Sequence, residues 1–243
     1  MNIYNKILTA SKVGKKLFSV LIDPDKFNPV VVEQCEKIGV DFIMVGGSII
    51  TNGNFESCIK SIKSLTSIPV IIFPGNSLQV SAQADAMLFL SLISGRNAEM
   101  LIGNHVLAAP IIQRLNLEAI STGYMLIDAG IQTSVSYMSN TMPIPYDKTE
   151  IAVATALAGE LLGLKQIYLD AGSGAANCVS AAMVAGIKEN VNLPVIVGGG
   201  VNSKEKVFDL CAAGADMIVV GNPIEKDPSV ISIMSECIHS FNN

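Results

Sequence analysis

The chain is poor in the residue types that most often mark a catalytic centre. It has two histidines in 243 residues, His105 and His239. Both fall in stretches that read as helices on the outer ring, so a histidine-based acid–base mechanism has little support. The order of residues shows neither a nucleophile elbow nor a metal-ligand histidine cluster. The five cysteines, at 35, 58, 178, 211 and 237, never occur with C-x-x-C spacing. They read as small core residues in a reducing cytoplasm, not as metal ligands or disulfides. Charge is sparse, with 15% of residues charged and a net value of −5, which argues against nucleic acid as a partner. Apolar runs break within about 10 residues, short of the roughly 20 that span a bilayer, so no transmembrane segment is expected. The N-terminus carries Lys6, Lys12, Lys15 and Lys16 without an apolar core and is not read as a signal peptide. No linker, low-complexity segment or charge run divides the chain, so one domain over 1–243 in the cytoplasm is expected.

What is present is apolar and regularly spaced. Half the residues are hydrophobic and mean hydropathy is +0.47, a composition suited to parallel strands covered on both faces. The length fits one (β/α)8 barrel. A helix over 3–13 precedes strands at 17–22, 41–45, 69–73, 86–90, 123–127, 167–169, 194–197 and 216–220. Helices are predicted over 29–38, 55–65, 98–115, 149–162, 176–189, 204–213 and 229–240. Two irregularities break the pattern. About a dozen residues join the third and fourth strands, and 74–77 read as a turn, too few for a crossover helix with its turns. The third helix of the (β/α)8 barrel is therefore expected to be missing or replaced, leaving a flank uncovered. The second irregularity is the Ser-, Thr- and Pro-rich stretch 130–148, long for a βα loop and a candidate lid. A weak internal echo, 39–47 against 214–222, fits a half-barrel duplication no better than the general likeness of barrel strands.

Three of the strands end in glycine. Tyr168, Leu169, Asp170, Ala171, Gly172, Ser173 and Gly174 form one such junction, Gly198, Gly199 and Gly200 a second, and Gly221 with Asn222 a third. Singly, each is as readily a tight βα turn as a phosphate loop. In succession they place exposed backbone N–H groups at one mouth of the barrel, where phosphate is often bound in this architecture. Asn222-Pro223 can open a short extra helix there.

Acids follow the strands on the same side. Asp23, after the first strand, can reach a divalent cation such as Mg²⁺ between itself and phosphate oxygens, with Ser48 as a neutral neighbour; the alternative is a cap before Pro24. Asp25 and Lys26 read as a cap and a solvated charge. Asp170 can bind substrate hydroxyls or stabilise positive charge, or else cap its loop; Asp128 ranks below it.

The segments 21–26, 45–48, 168–175, 197–201 and 219–222 together resemble the geranylgeranylglyceryl phosphate synthase family, which includes the bacterial heptaprenylglyceryl phosphate synthases. The resemblance runs the length of the chain, and Leu21 and the longer Ala-Gly-Ser-Gly loop are similar to its archaeal-type group. It implies a Mg²⁺-dependent prenyltransferase on a modified (β/α)8 barrel. In that reaction the 3-hydroxyl of sn-glycerol 1-phosphate displaces diphosphate from a polyprenyl diphosphate, with geranylgeranyl as the expected donor. Matched motif by motif, Asp23 and Ser48 correspond to the metal ligands. Tyr168 through Gly174, Gly199, Gly200, Gly221 and Asn222 correspond to the glycerol-phosphate site. Asp170 stands where many members have Glu, and with Asp23 it is the expected catalytic acid. A homo-oligomer with transient membrane contact is expected. The apolar tail would lie in a groove on the uncovered flank, lined partly by 73–92, with Ala84 and Ala86 among its small residues. Two other readings stand beside this one: a barrel enzyme acting on a small phosphorylated metabolite, and a non-catalytic phosphate-ligand sensor.

Overall fold

The computed structural model describes residues 2–242. Eight strands close a parallel barrel in chain order: β1 Leu17–Ile22, β2 Phe42–Val45, β3 Val70–Ile72, β4 Ala86–Leu92, β5 Glu118–Leu126, β6 Gln166–Asp170, β7 Val195–Gly198 and β8 Met217–Val220. β8 pairs back onto β1, with Leu17 opposite Met217. Strand alternation sorts the apolar residues into two cores. Phe42, Met44, Ile71, Leu88, Tyr168, Ile196 and Met217 fill the barrel. Their sequence neighbours Ile43, Val45, Ile72, Leu169 and Val197 face the surrounding helices.

The helices are α1 Ile3–Lys12, α2 Pro29–Ile38, α3 Phe55–Leu65, α4 Asn104–Leu115, α5 Ser134–Ser139, α6 Thr149–Leu161, α7 Ala181–Asn190, α8 Lys204–Ala212, α9 Asn222–Lys226 and α10 Val230–His239. Helix α1 closes the bottom of the barrel. Ile3, Ile7 and Ala10 join the interior core, and Glu118 at the foot of β5 accepts the N–H groups of Ile3 and Tyr4 at 2.7 and 2.8 Å. A carboxylate there satisfies two of the orphan donors of a helix start and meets its positive end.

Both irregularities foreseen in the sequence are real features. Residues 73–85 pass from β3 to β4 without a helix. The long stretch after β5 contains α5, started by a capping box between Thr133 and Ser136, and it is pinned to the strand end by a bridge between Ile127 and Ile144. Differences from the expected boundaries have local causes. β5 begins five residues early, at Glu118, because its pairing with β4 continues from Ala86–Glu118 to Leu92–Tyr124. Helix α7 begins at Ala181 rather than 176, because the Ser180 side chain accepts the Met183 N–H and sets the helix start. A π-helical turn, Glu99–Gly103, leads into α4.

Candidate active site

The C-terminal mouth of the barrel opens into a polar cavity of about 460 Å³. Its walls come from both sides of the ring. On one side stand Asp23 and Lys26 after β1 and Gly46, Gly47 and Ser48 after β2; on the other, the glycine loops after β6, β7 and β8. These loops are tied to each other. The Ser173 hydroxyl donates to Asn222 Oδ1 at 2.7 Å, joining the β6 loop to the start of α9. Gly199 has φ +78°, and a Cβ there would lie 2.5 Å from Gly172 N and 2.6 Å from Asp170 Oδ1. Only glycine allows the second loop to lie against the first.

Asp170 closes β6 at the floor of the cavity. Its Oδ2 accepts the Tyr124 hydroxyl at 2.5 Å and its Oδ1 accepts the Gly172 N–H at 2.7 Å. Burial pushes its carboxyl above the usual range, while the hydrogen bonds from Tyr124 and Gly172 favour the charged form and pull the other way. Burial, followed by the nearby Asp170 charge, raises the hydroxyls of Tyr124 and Tyr168 well above ordinary tyrosine. Tyr124, Tyr168 and Phe73 form an aromatic cluster with ring centroids 5.1 to 5.8 Å apart.

At the opposite wall, Asp23 Oδ1 accepts the Asp25 N–H at 3.0 Å, and Lys26 Nζ lies 3.8 Å from Asp23 Oδ2. The turn Pro24–Lys26 is itself clamped. Asp25 accepts the N–H groups of Thr51, Asn52 and Gly53 and the Thr51 hydroxyl. Those bonds hold its carboxyl down at about 2.

An apolar groove leaves the cavity where the helix after β3 is missing. It is lined by Phe73, Met87, Leu90, Met100, His105 and Met138, among others. Five residues border both chambers: Gly47, Ser48, Phe73, Tyr124 and Val135. A polar cavity therefore opens directly onto an apolar trough.

Residues 11–238 match the model of the PcrB family. The chain belongs to the PcrB family. It is 50% identical over 242 residues to the geranylgeranylglyceryl phosphate synthase of Chitinophaga pinensis, covering 98% of this chain and 96% of that one. It is 42% identical over 221 residues to the same enzyme of Pyrococcus furiosus, covering 89% and 87%. The (S)-3-O-geranylgeranylglyceryl phosphate synthase of Thermoplasma acidophilum, solved in complex with its substrate sn-glycerol-1-phosphate, superposes with a TM-score of 0.93. That structure is 34% identical and covers 99% of both chains.

In this PcrB-family barrel most residues marked from the sequence meet in one place. Asp23, Ser48, Tyr168, Asp170, Gly172, Ser173, Gly174, Gly199, Gly200, Gly221 and Asn222 all border the polar cavity. Leu169 and Ala171 do not; their side chains pack in the sheet–helix core, and only their backbone is near the mouth. Alternation along β6 dictates this, since Tyr168 and Asp170 take the inward positions. Ala84 and Ala86 are also misplaced by the sequence. Ala84 is buried between sheet and helices and Ala86 lies inside the barrel; the small residues on the groove between β3 and β4 are Gly75 and Ser77 instead. Asp128 is exposed and caps its own turn by accepting the Gly130 N–H at 2.9 Å.

The sequence reading missed two participants, and it placed Phe73 on the groove without its contact to Tyr168. Tyr124 lies in an ordinary strand context, and only register places it beside Tyr168 and Asp170. His105, assigned to the outer ring, faces inward on α4 against the groove, with Nε2 3.1 Å from Ser91 Oγ and its ring edge-on to Phe89. Burial lowers its imidazole below the usual value. A helix-period count from Ala108 and Ile112, which are buried on the same face, could have revealed that orientation.

Proposed function

We propose that the chain catalyses ether formation between the 3-hydroxyl of sn-glycerol 1-phosphate and a polyprenyl diphosphate, with geranylgeranyl as donor. The observation that supports this best is the direct junction of the two chambers. A water-soluble phosphate ester and a long apolar tail need different surroundings, and their reacting ends must meet at one point. The glycine loops after β6, β7 and β8 suit the glycerol phosphate, and the trough along β4 and α4 suits the prenyl chain. Holding both in place turns a two-body encounter into a positioned attack. A small closed pocket would have favoured a phosphorylated metabolite; the open apolar trough does not.

Each residue in this reading has a defined task. Backbone N–H groups at Gly199, Gly200, Gly221 and Asn222 bind the phosphate. Asp170 accepts the glycerol hydroxyl and takes its proton as the ether oxygen bonds to the first prenyl carbon. Its negative charge also faces the positive charge that grows on that carbon as the bond to diphosphate breaks. Lys26 faces the leaving group.

The donor set at Asp23 and Ser48 fits Mg²⁺. It offers one partly exposed carboxylate and one neutral oxygen at the edge of an anion site, the pattern of an ion that takes its other ligands from phosphate oxygens and water. No group of three His, Cys, Asp or Glu side chains converges on a metal position among the described residues, so those remaining ligands would be supplied by the donor diphosphate. When bound, the ion would offset negative charge on the departing diphosphate.

The wider reading is a one-domain cytoplasmic enzyme, assembled as a homo-oligomer, that touches a membrane transiently to collect its donor. Leu78 and Met138, 85% and 48% exposed near the groove, support the last point. No helix among the described residues is long and apolar enough to cross a membrane.

Diphosphate release tests the proposal. It should require both substrates together and stop on chelation of divalent cations. Binding of glycerol phosphate without any release would favour a sensor.

A further inference from the structure

Tyr124 is unlike the other four residues that border both chambers. It alone puts a polar side-chain atom on Asp170, through the 2.5 Å hydrogen bond from its hydroxyl to Oδ2. The other carboxylate oxygen is fixed by Gly172 N–H at 2.7 Å, and the packed loop at Gly199 closes the space behind it. The tyrosine ring cannot swing freely. It is held edge-on to Phe73 at 5.8 Å and to Tyr168 at 5.7 Å, and Tyr124 pairs with Tyr168 in the β5–β6 register. A short charge-assisted bond from a ring locked on three sides fixes the direction of a carboxylate as well as its position.

We propose that Tyr124 is a positioning residue for the transfer: its hydroxyl holds the Asp170 carboxylate at the junction of the two chambers, with the remaining lone pairs turned toward the glycerol hydroxyl. The proposal rests on the prenyl-transfer reading above. In that step the glycerol oxygen bonds to the first prenyl carbon, the bond from that carbon to diphosphate breaks, and diphosphate leaves with the electron pair. The hydroxyl proton passes to Asp170, which must therefore enter the step ionised. Tyr124 on β5 and Tyr168 on β6 are the titratable groups packed against it. Asp23, Lys26, Glu225 and Lys226 face it from around the cavity wall. Of these, Tyr124 is the group that donates directly to the carboxylate.

The test is Tyr124→Phe, which keeps the ring and removes one oxygen. The rate kcat should fall about tenfold at neutral pH, and the acid limb of kcat/KM should move up by about one pH unit, the size of one lost bond to a charged group. KM for the prenyl diphosphate should change less than about twofold, because the groove wall is intact. A readout free of turnover accompanies this. The Asp170 carboxyl carbon, followed by ¹³C NMR and assigned with Asp170→Asn, should show its midpoint rise by the same amount. Affinity for sn-glycerol 1-phosphate should fall in the wild-type background and not in the Asp170→Asn background, since coupled residues are not additive. An unmoved acid limb and midpoint, or equal affinity losses in both backgrounds, would overturn the positioning role. Absence of prenyl transfer in the unaltered protein would overturn the functional reading instead, whatever the NMR midpoint does.

Discussion

Lys26 Nζ lies 2.9 Å from Glu225 Oε2 and ties the turn after β1 to the short helix after the adjacent strand β8, at the barrel mouth. The glutamate raises the lysine's affinity for its proton. Lys26 is 53% exposed, and such a pair adds little to stability. In the proposed reaction the pair would present a fixed cation to the diphosphate of the donor. Lys26→Met should therefore raise KM for the diphosphate donor about five- to tenfold and leave the melting temperature within about 2 °C. A large drop in melting temperature with unchanged KM would make the pair structural.

Asp23→Asn separates charge from shape. The amide oxygen can still accept the Asp25 N–H that Asp23 Oδ1 accepts at 3.0 Å, so the turn should persist. Turnover should fall by about two orders of magnitude or more, and the saturable response to Mg²⁺ should be lost. Steady-state rates across a Mg²⁺ titration, beside a thermal melt, decide the point. A wild-type rate and Mg²⁺ response would remove Asp23 from the metal site.

Most of this architecture could be read directly from the order of residues, and the reasons are physical. A parallel strand buried on both faces is a short apolar run, and a glycine at its end marks the loop that bends away. Those two signals located the barrel, its mouth and the glycine loops that border the cavity. The missing helix was a matter of chain length, since a dozen residues cannot make a full crossover. What could not be read was register. Nothing in the segment around Tyr124 says that its hydroxyl will meet Asp170, because that contact depends on how β5 slides against β6. Side-chain direction was lost for the same reason at Leu169, which faces the helices, and at Ala86, which fills the barrel. Gly199 was marked as a close approach to phosphate. Its second constraint, contact with the Asp170 loop, appears only once β6 and β7 lie side by side.

Ser77 lies on the groove where the chain crosses from β3 to β4. In the wild type, kcat/KM should rise with donor length until the groove is filled, with each added carbon contributing burial at about 25 cal/mol per Å². Ser77→Trp should shift the preferred donor to a shorter chain while KM for sn-glycerol 1-phosphate changes little. The measurement is kcat/KM over a series of prenyl diphosphates. A profile that does not depend on length would remove the trough from substrate binding.

Asp170→Asn should cost activity and gain stability. Burial raises the folded-state value of this carboxyl above that of the unfolded chain, so the folded state holds an extra proton between the two values. Stability therefore falls as pH rises through that window, and the penalty persists above it. Replacement by the neutral amide removes the buried charge, and the Tyr124 hydroxyl can turn to accept from the new NH₂. The variant should melt about 2–4 °C above the wild type at pH 8, with no such gain at pH 3. A lower melting temperature at pH 8 would mean that the hydrogen bonds to the carboxylate outweigh its burial.

The most direct measurement is the product itself. Purified protein, isotopically labelled sn-glycerol 1-phosphate, geranylgeranyl diphosphate and Mg²⁺ are incubated together, and the organic phase is analysed by mass spectrometry. Label should appear in a geranylgeranyl glyceryl ether phosphate in step with diphosphate release, and it should disappear when either substrate is omitted. Diphosphate release without labelled ether, or no reaction with any prenyl donor, would contradict the account.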